Sequence, residues 1–225
     1  MIFYDSLNFL HMLFFVYWLG GDLGTFYASR FVRDPALSVE ARVTALKIMA
    51  GVDMAPRICM PLIFALGIQL AYLETGLAIP ATAVALVWLI SFFWLGLVFA
   101  VHKMAGDPLG AKLAKFDIWF RVVLIAAMVA LAIYGFATGE VVRFNWIGIK
   151  LVIMAALVAA GLMIRVNLMP FAPAFKKLVT DGPSHKINQE ITLSLRGCLP
   201  WVYLIWVGLI VNAAIGLNMY NLFRG

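Results

Sequence analysis

Six long apolar runs separated by short polar connections constrain this chain more than any other feature: roughly residues 6–28, 55–73, 80–101, 118–138, 146–168 and 193–217. A helix rises 1.5 Å per residue, so each run can cross a hydrocarbon core of about 30 Å. Lipid offers no partner to a free N–H or C=O. Only helices or closed barrels therefore span it, and runs of this length fit helices. The expectation is an all-α, polytopic membrane bundle of six transmembrane helices, folded as a single domain over residues 1–225. With 12% charged residues, the chain falls well below the ~25% of soluble domains. The N-terminal MIFYDS has no basic segment, and the first run ends without a small-residue cleavage site. That run reads as a span and not as a removable signal peptide.

The basic residues are unevenly placed. The connections after the first, third and fifth runs, with their flanks, hold 14 of the 17 Lys and Arg residues; the other side holds Arg143, Lys150 and Arg224. The positive-inside rule then puts both termini outside and predicts a multi-pass protein of the bacterial inner (cytoplasmic) membrane. It also accounts for the net charge of +6 with the lipid bilayer as partner and no nucleic acid. Residues Ser38 to Val52 read as a short cytoplasmic interfacial helix. Ser38 is its N-cap, Val39, Val43, Leu46 and Met49 form the apolar face, and Glu40, Arg42 and Lys47 form the polar one. The stretch from Pro170 to Glu190 reads as a polar, partly ordered loop. Pro80 suits the first turn of the third span, whereas Pro61 and Pro200 fall inside the second and sixth and should kink them. The small pairs Gly96/Ala100, Ala126/Ala130 and Ala156/Ala160 should allow close helix crossings.

The second and sixth spans begin alike, Arg57-Ile-Cys59-Met-Pro61 and Arg196-Gly-Cys198-Leu-Pro200, both R-x-C-x-P. His11 precedes Cys59 by 48 residues, and Lys150 precedes Cys198 by 48. Residues 1–75 and 146–217 thus read as repeated hairpins with 80–138 inserted between them, and His11 and Lys150 fall at equivalent depths near the outer surface.

Ionisable residues inside spans are costly and mark function. At helical spacing His11, Phe15, Trp18 and Asp22 share one face. His11 is a candidate metal ligand or proton relay, Lys150 a cation for a substrate or cofactor carboxylate, and Asp22 a proton carrier or the partner of Arg121 or Arg196. Arg30, Arg57 and Arg196 could form a cationic rim for carboxylates. Cys59 and Cys198, with Met54 and Met60, are either a soft Cu(I) site or apolar packers. A dihaem four-helix cytochrome needs four intramembrane histidines; this chain has three histidines in all, and His185 lies outside the runs. A single haem remains open.

The first span resembles a known family. His11, Trp18 and Gly21, followed by Gly24-Thr-Phe26-Tyr27-Ala-Ser-Arg30, resemble the H-x6-W-x2-G and G-x-F-Y-x-x-R pattern of the HemJ protoporphyrinogen oxidase family. Trp146-Ile-Gly-Ile-Lys150 resembles that family's W-x3-K. CopD-like copper-resistance membrane proteins belong to the same wider set. The likeness covers about half the chain, with three extra residues in the Gly21–Gly24 segment and an extra pair of spans. It implies a haem ligand at His11 and a functional lysine at Lys150. The resulting expectation is a membrane oxidoreductase or electron-transfer protein that binds haem b or a porphyrin and exchanges electrons with quinone or a redox partner protein. In it His11, Trp18, Arg30 and Lys150 bind the cofactor, and Lys150 and Asp22 act in catalysis. A copper or small-solute transporter, and a structural subunit of an oligomer or larger membrane complex, are the alternatives. A Soret band in the absorbance spectrum separates the first from the other two.

Overall fold

The computed structural model describes residues 2–217. Nine α-helices account for nearly all of them: α1 (Ile2–Val32), α2 (Val39–Val52), α3 (Met54–Leu73), α4 (Ala81–Lys103), α5 (Pro108–Thr138), α6 (Asn145–Asn167), α7 (Phe171–Asp181), α8 (His185–Gly197) and α9 (Leu199–Gly216). Among the described residues the sole β pairing is an isolated antiparallel bridge between Leu77 and Val142. Six helical segments are long and apolar enough to cross a membrane, as a multi-pass membrane protein requires. The 31-residue α1 and α5 are about 46 Å long and must project beyond a hydrocarbon core of ~30 Å.

The spans form a ring. α1 packs on α3, α3 on α4, α4 on α5, α5 on α6, α6 on α9, and α9 closes back on α1. Two ends result. One carries most of the basic residues and the connections holding α2, α7 and α8. The other carries residues 74–80 and 139–144, where Ala78 N–H donates to Val141 C=O and Arg143 N–H to Gly76 C=O, both at 2.9 Å. Gly139, at φ +68°, ends α5 there in the left-handed conformation that glycine adopts at little cost. Arg224, one of the three basic residues assigned to this second end, lies outside the described residues.

Several expectations change. The sixth span is two helices, because the chain breaks at Cys198; Pro200 therefore sits in the first turn of α9, where its missing N–H costs nothing. Pro80 caps α4 from outside, and Pro61 does lie within α3. The stretch from Pro170 is not a loop. It forms α7 and the start of α8, whose Phe171, Phe175, Leu178, Ile187 and Ile191 bury a satellite core against Ala28, Val32 and Met49. Ser38 caps α2 as expected, accepting from Ala41 N–H at 3.3 Å, but Arg42 is not on a solvated face. It is 1% exposed, with Nε donating to Val32 C=O and Nη1 to Asn188 Oδ1, each at 2.8 Å. The guanidinium thereby ties the end of α1 to α8.

The close crossings also lie elsewhere. Gly96, Ala126, Ala130 and Ala156 are exposed, and only Ala160 of those pairs is fully buried. Tight approaches are made by glycines instead, among them Gly148 at Phe136, Gly208 at Leu157, and Gly21 and Gly24, where α1 crosses the α2–α3 break. A Cβ at Gly21 would sit 2.6 Å from Pro56 Cδ and 3.0 Å from Ala55 Cβ, and one at Gly24 2.8 Å from Val52 Cγ1. A proline ring cannot rotate away. Gly21→Ala should therefore destabilise the protein by about 1–3 kcal/mol. Gly20→Ala, with nothing within 4 Å of its new Cβ, should be neutral or stabilising by up to ~1 kcal/mol. Chemical unfolding of the pair in detergent reads the contrast; equal midpoints would refute this crossing.

Candidate functional site

At the end of the bundle away from the basic residues, α1, α3, α6 and α9 enclose a cavity of about 170 Å³, room for on the order of a dozen waters. Its walls are apolar and aromatic: Phe15, Phe64, Ile68, Met154, Leu157 and Leu209, with Trp18 as the floor. Six polar side chains face it, Tyr4, Asn8, His11, Glu74, Lys150 and Asn212. His11 and Lys150 are 139 residues apart in sequence yet close enough for their charges to interact. Each comes from a helix that enters the bundle at this end, so the ring order decides the meeting.

The imidazole of His11 lies on α3 at Gly67, where an added Cβ would be 3.3 Å from Cε1. Its Nδ1 is buried without a hydrogen-bond partner, and the ring lies beside the Ile63 backbone. Lys150 Nζ stands 5.9 Å from the centroid of the Trp146 ring and against Gly216, where a Cβ would lie 2.7 Å away. Asn212 Oδ1, on α9, is a second buried acceptor without a partner. At the mouth the Tyr4 hydroxyl donates to Glu74, and Thr75 beside it holds φ +59°, an uncommon conformation for a β-branched residue. An imidazole, an ammonium and an unpaired amide oxygen thus converge in an apolar chamber. Such a site suits a small, largely apolar ligand with a few polar groups.

The other candidates lie outside this chamber. Asp22 is eleven residues below His11 on α1, roughly 16 Å along the axis. It pairs with neither Arg121 nor Arg196: Arg121 is held by Asp117, and Arg196 is exposed. Arg30, in the last turn of α1, stacks its guanidinium 5.0 Å above the Phe26 ring and does not line the cavity, because it lies at the opposite end of α1. Arg57 pairs with Asp53. Cys59 is buried beside Met60 in the main core. Cys198, at the α8–α9 break, donates its thiol to Ser194 C=O at 3.3 Å. Among the described residues no group of three or more His, Cys, Asp or Glu is placed to hold a metal ion.

One charged cluster has no counterpart in the sequence reading. Asp117, 1% exposed, accepts from Arg121 Nε at 3.1 and 3.2 Å and from Arg165 Nη1 at 2.7 Å. Arg121 also lies 5.3 Å over the Trp94 ring. The i,i+4 spacing of Asp117 and Arg121 was the one available signal; the third partner comes from α6, 48 residues on.

Comparison with protein-family models, with curated proteins and with solved structures finds no match.

Proposed function

We propose that this multi-pass membrane protein is a redox protein of the HemJ/CopD kind that holds haem b or a related porphyrin in the cavity between α1, α3, α6 and α9. The observation that carries the reading is the meeting of His11 and Lys150 in one apolar chamber, with His11 Nδ1 buried and otherwise unsatisfied. The side-chain chemistry suits such a group: His11 to ligate iron, Lys150 to hold a propionate through a charge-assisted hydrogen bond, and aromatic walls to face the macrocycle. At about 170 Å³ the cavity is smaller than a tetrapyrrole, so the four helices would have to part to admit it. Bound haem would supply one-electron chemistry, with quinone or a partner protein taking the electron. The chain's own work is to orient and to insulate. Trp18 closes the floor, Gly67 leaves room for the imidazole, and Gly216 leaves room for the ammonium. Asn212 Oδ1 is free to accept from a protonated carboxyl or a pyrrole N–H. The basic end, with α2 at the interface, faces the cytoplasm of a bacterial inner membrane, and the cavity opens on the outer side.

The test is the absorbance spectrum of protein purified from cells supplied with haem precursor, together with an iron assay. A Soret band with about one iron per chain is expected. Colourless protein that stays colourless after hemin addition removes the haem reading and favours a transporter or structural subunit.

A further inference from the structure

Below the cavity floor, α1 presents two oxygens that the rest of the bundle leaves unsatisfied. Asp22 Oδ2 and Thr25 Oγ1 are both buried and without a hydrogen-bond partner. They are three residues apart and share one face of the helix. The helical hydroxyls of Ser6, Ser29, Thr44 and Thr138 each donate to a carbonyl three or four residues earlier; Thr25 does not, although its hydroxyl is buried. Ser91 on α4 also lacks a bond, but no acidic side chain lies three or four residues from it. The carboxylate, too, has no salt-bridge partner among the described residues: Arg57 is paired with Asp53, and Arg121 and Arg165 with Asp117. Asp53 is close enough to add its own negative charge to the surroundings of Asp22.

Facing this part of α1 is a discontinuous helix. The chain breaks at Asp53 between α2 and α3. Pro56 and Pro61 have no N–H, so the carbonyls of Val52 and Arg57 lose the donors that a continuous helix would give them. Gly21 and Gly24 let α1 lie directly on the break, against Pro56 and Val52, and Asp22 and Thr25 are the residues next to those glycines. Broken membrane helices use freed carbonyls and the negative carboxyl end of a half-helix to hold sodium ions or protons.

We propose that Asp22, the Thr25 hydroxyl and backbone carbonyls of the α2–α3 break bind a sodium ion. The donors proposed are all oxygen, which suits a hard cation; Asp53 is already paired with Arg57, so the one carboxylate without a cationic partner balances a single positive charge. The site is distinct from the tetrapyrrole cavity and does not rest on it. Trp18 joins the two, since it floors the cavity and lies one turn from Asp22, within reach of its carboxylate.

Thermal unfolding and tryptophan fluorescence of the purified protein in detergent, titrated with NaCl against choline chloride at fixed ionic strength, test this. The unfolding midpoint should rise saturably with sodium and not with choline. Asp22→Asn should remove the response, and Thr25→Val should raise the half-saturating concentration about tenfold. Superimposable curves in the two salts overturn the proposal, as does a sodium response that survives Asp22→Asn. A midpoint that depends on pH but not on sodium assigns Asp22 a proton and also overturns it. If Asp22→Asn does not fold, Thr25→Val decides alone: an unshifted titration refutes the site.

Discussion

Asp117→Asn should cost this protein about 3–5 kcal/mol of stability, the usual consequence of breaking a buried ion pair by removing one partner. The asparagine keeps one acceptor oxygen but turns an NH₂ donor toward a guanidinium that also only donates. Two cations then remain with one neutral acceptor. They do not suffer equally. The Arg165 side chain is 26% exposed and can swing toward the interface, while that of Arg121 is 6% exposed, walled in by Trp94 and Met60. Arg121 is the stranded charge. Neutral hydrogen bonds between membrane helices average only ~0.6 kcal/mol, so a large effect distinguishes charge from ordinary bonding. Two controls follow. Arg165→Ala should cost much less, and replacing Asp117 and Arg121 together with Leu and Met should recover most of the loss, because no charge is then left unpaired. Equilibrium unfolding in mixed micelles measures all three. An Asp117→Asn variant within 1 kcal/mol of the parent would show that the cluster is hydrated.

His11→Ala should abolish the Soret band of the haem-loaded protein while leaving its far-ultraviolet circular dichroism unchanged. The imidazole is the one histidine lining the cavity, so no other ring can take its place. Lys150→Ala should instead keep the band and weaken haem binding about 10- to 100-fold, since a charge-assisted hydrogen bond contributes ~1.5–3 kcal/mol. Apolar residues should tolerate the change locally: a lysine costs at least ~2.5 kcal/mol at mid-membrane on insertion scales, and its removal relieves that cost. The two variants therefore separate ligation from carboxylate binding. A full Soret band in His11→Ala would take the ligand role from His11, and unchanged affinity in Lys150→Ala would take the propionate from Lys150.

The two helix breaks differ although both follow the same five-residue pattern. In the first hairpin the break falls at Asp53, four residues before Arg57; in the second it falls at Cys198, two residues after Arg196. Proline at the fifth position of the pattern is interior in α3 and initial in α9. A local motif fixes where an N–H is missing, but the packing of α2 on α1 and of α7 on α8 decides where each helix stops.

Hydropathy by itself determined the six spans, and the lengths of the second, third and fifth to within a turn, because lipid imposes one local requirement on every residue it touches; α1 and α5 run well past their apolar stretches and the sixth is divided at Cys198. Hydropathy also placed His11 and Lys150 at the same end of the bundle, since depth follows from counting along a helix. Depth is only one coordinate. Which way a side chain faces, and which helix lies there, depends on the rotation and order of the spans, and no local pattern encodes those. Arg42 is polar in any window of sequence yet buried, because the end of α1 and Asn188 of α8 converge on it. Asp117 has its shortest contact with Arg165 on another helix. The closure of α9 on α1 makes the four-helix cavity. Those contacts join residues tens to hundreds of positions apart, and only the tertiary structure, where burial of charge must be balanced across helices, decides them.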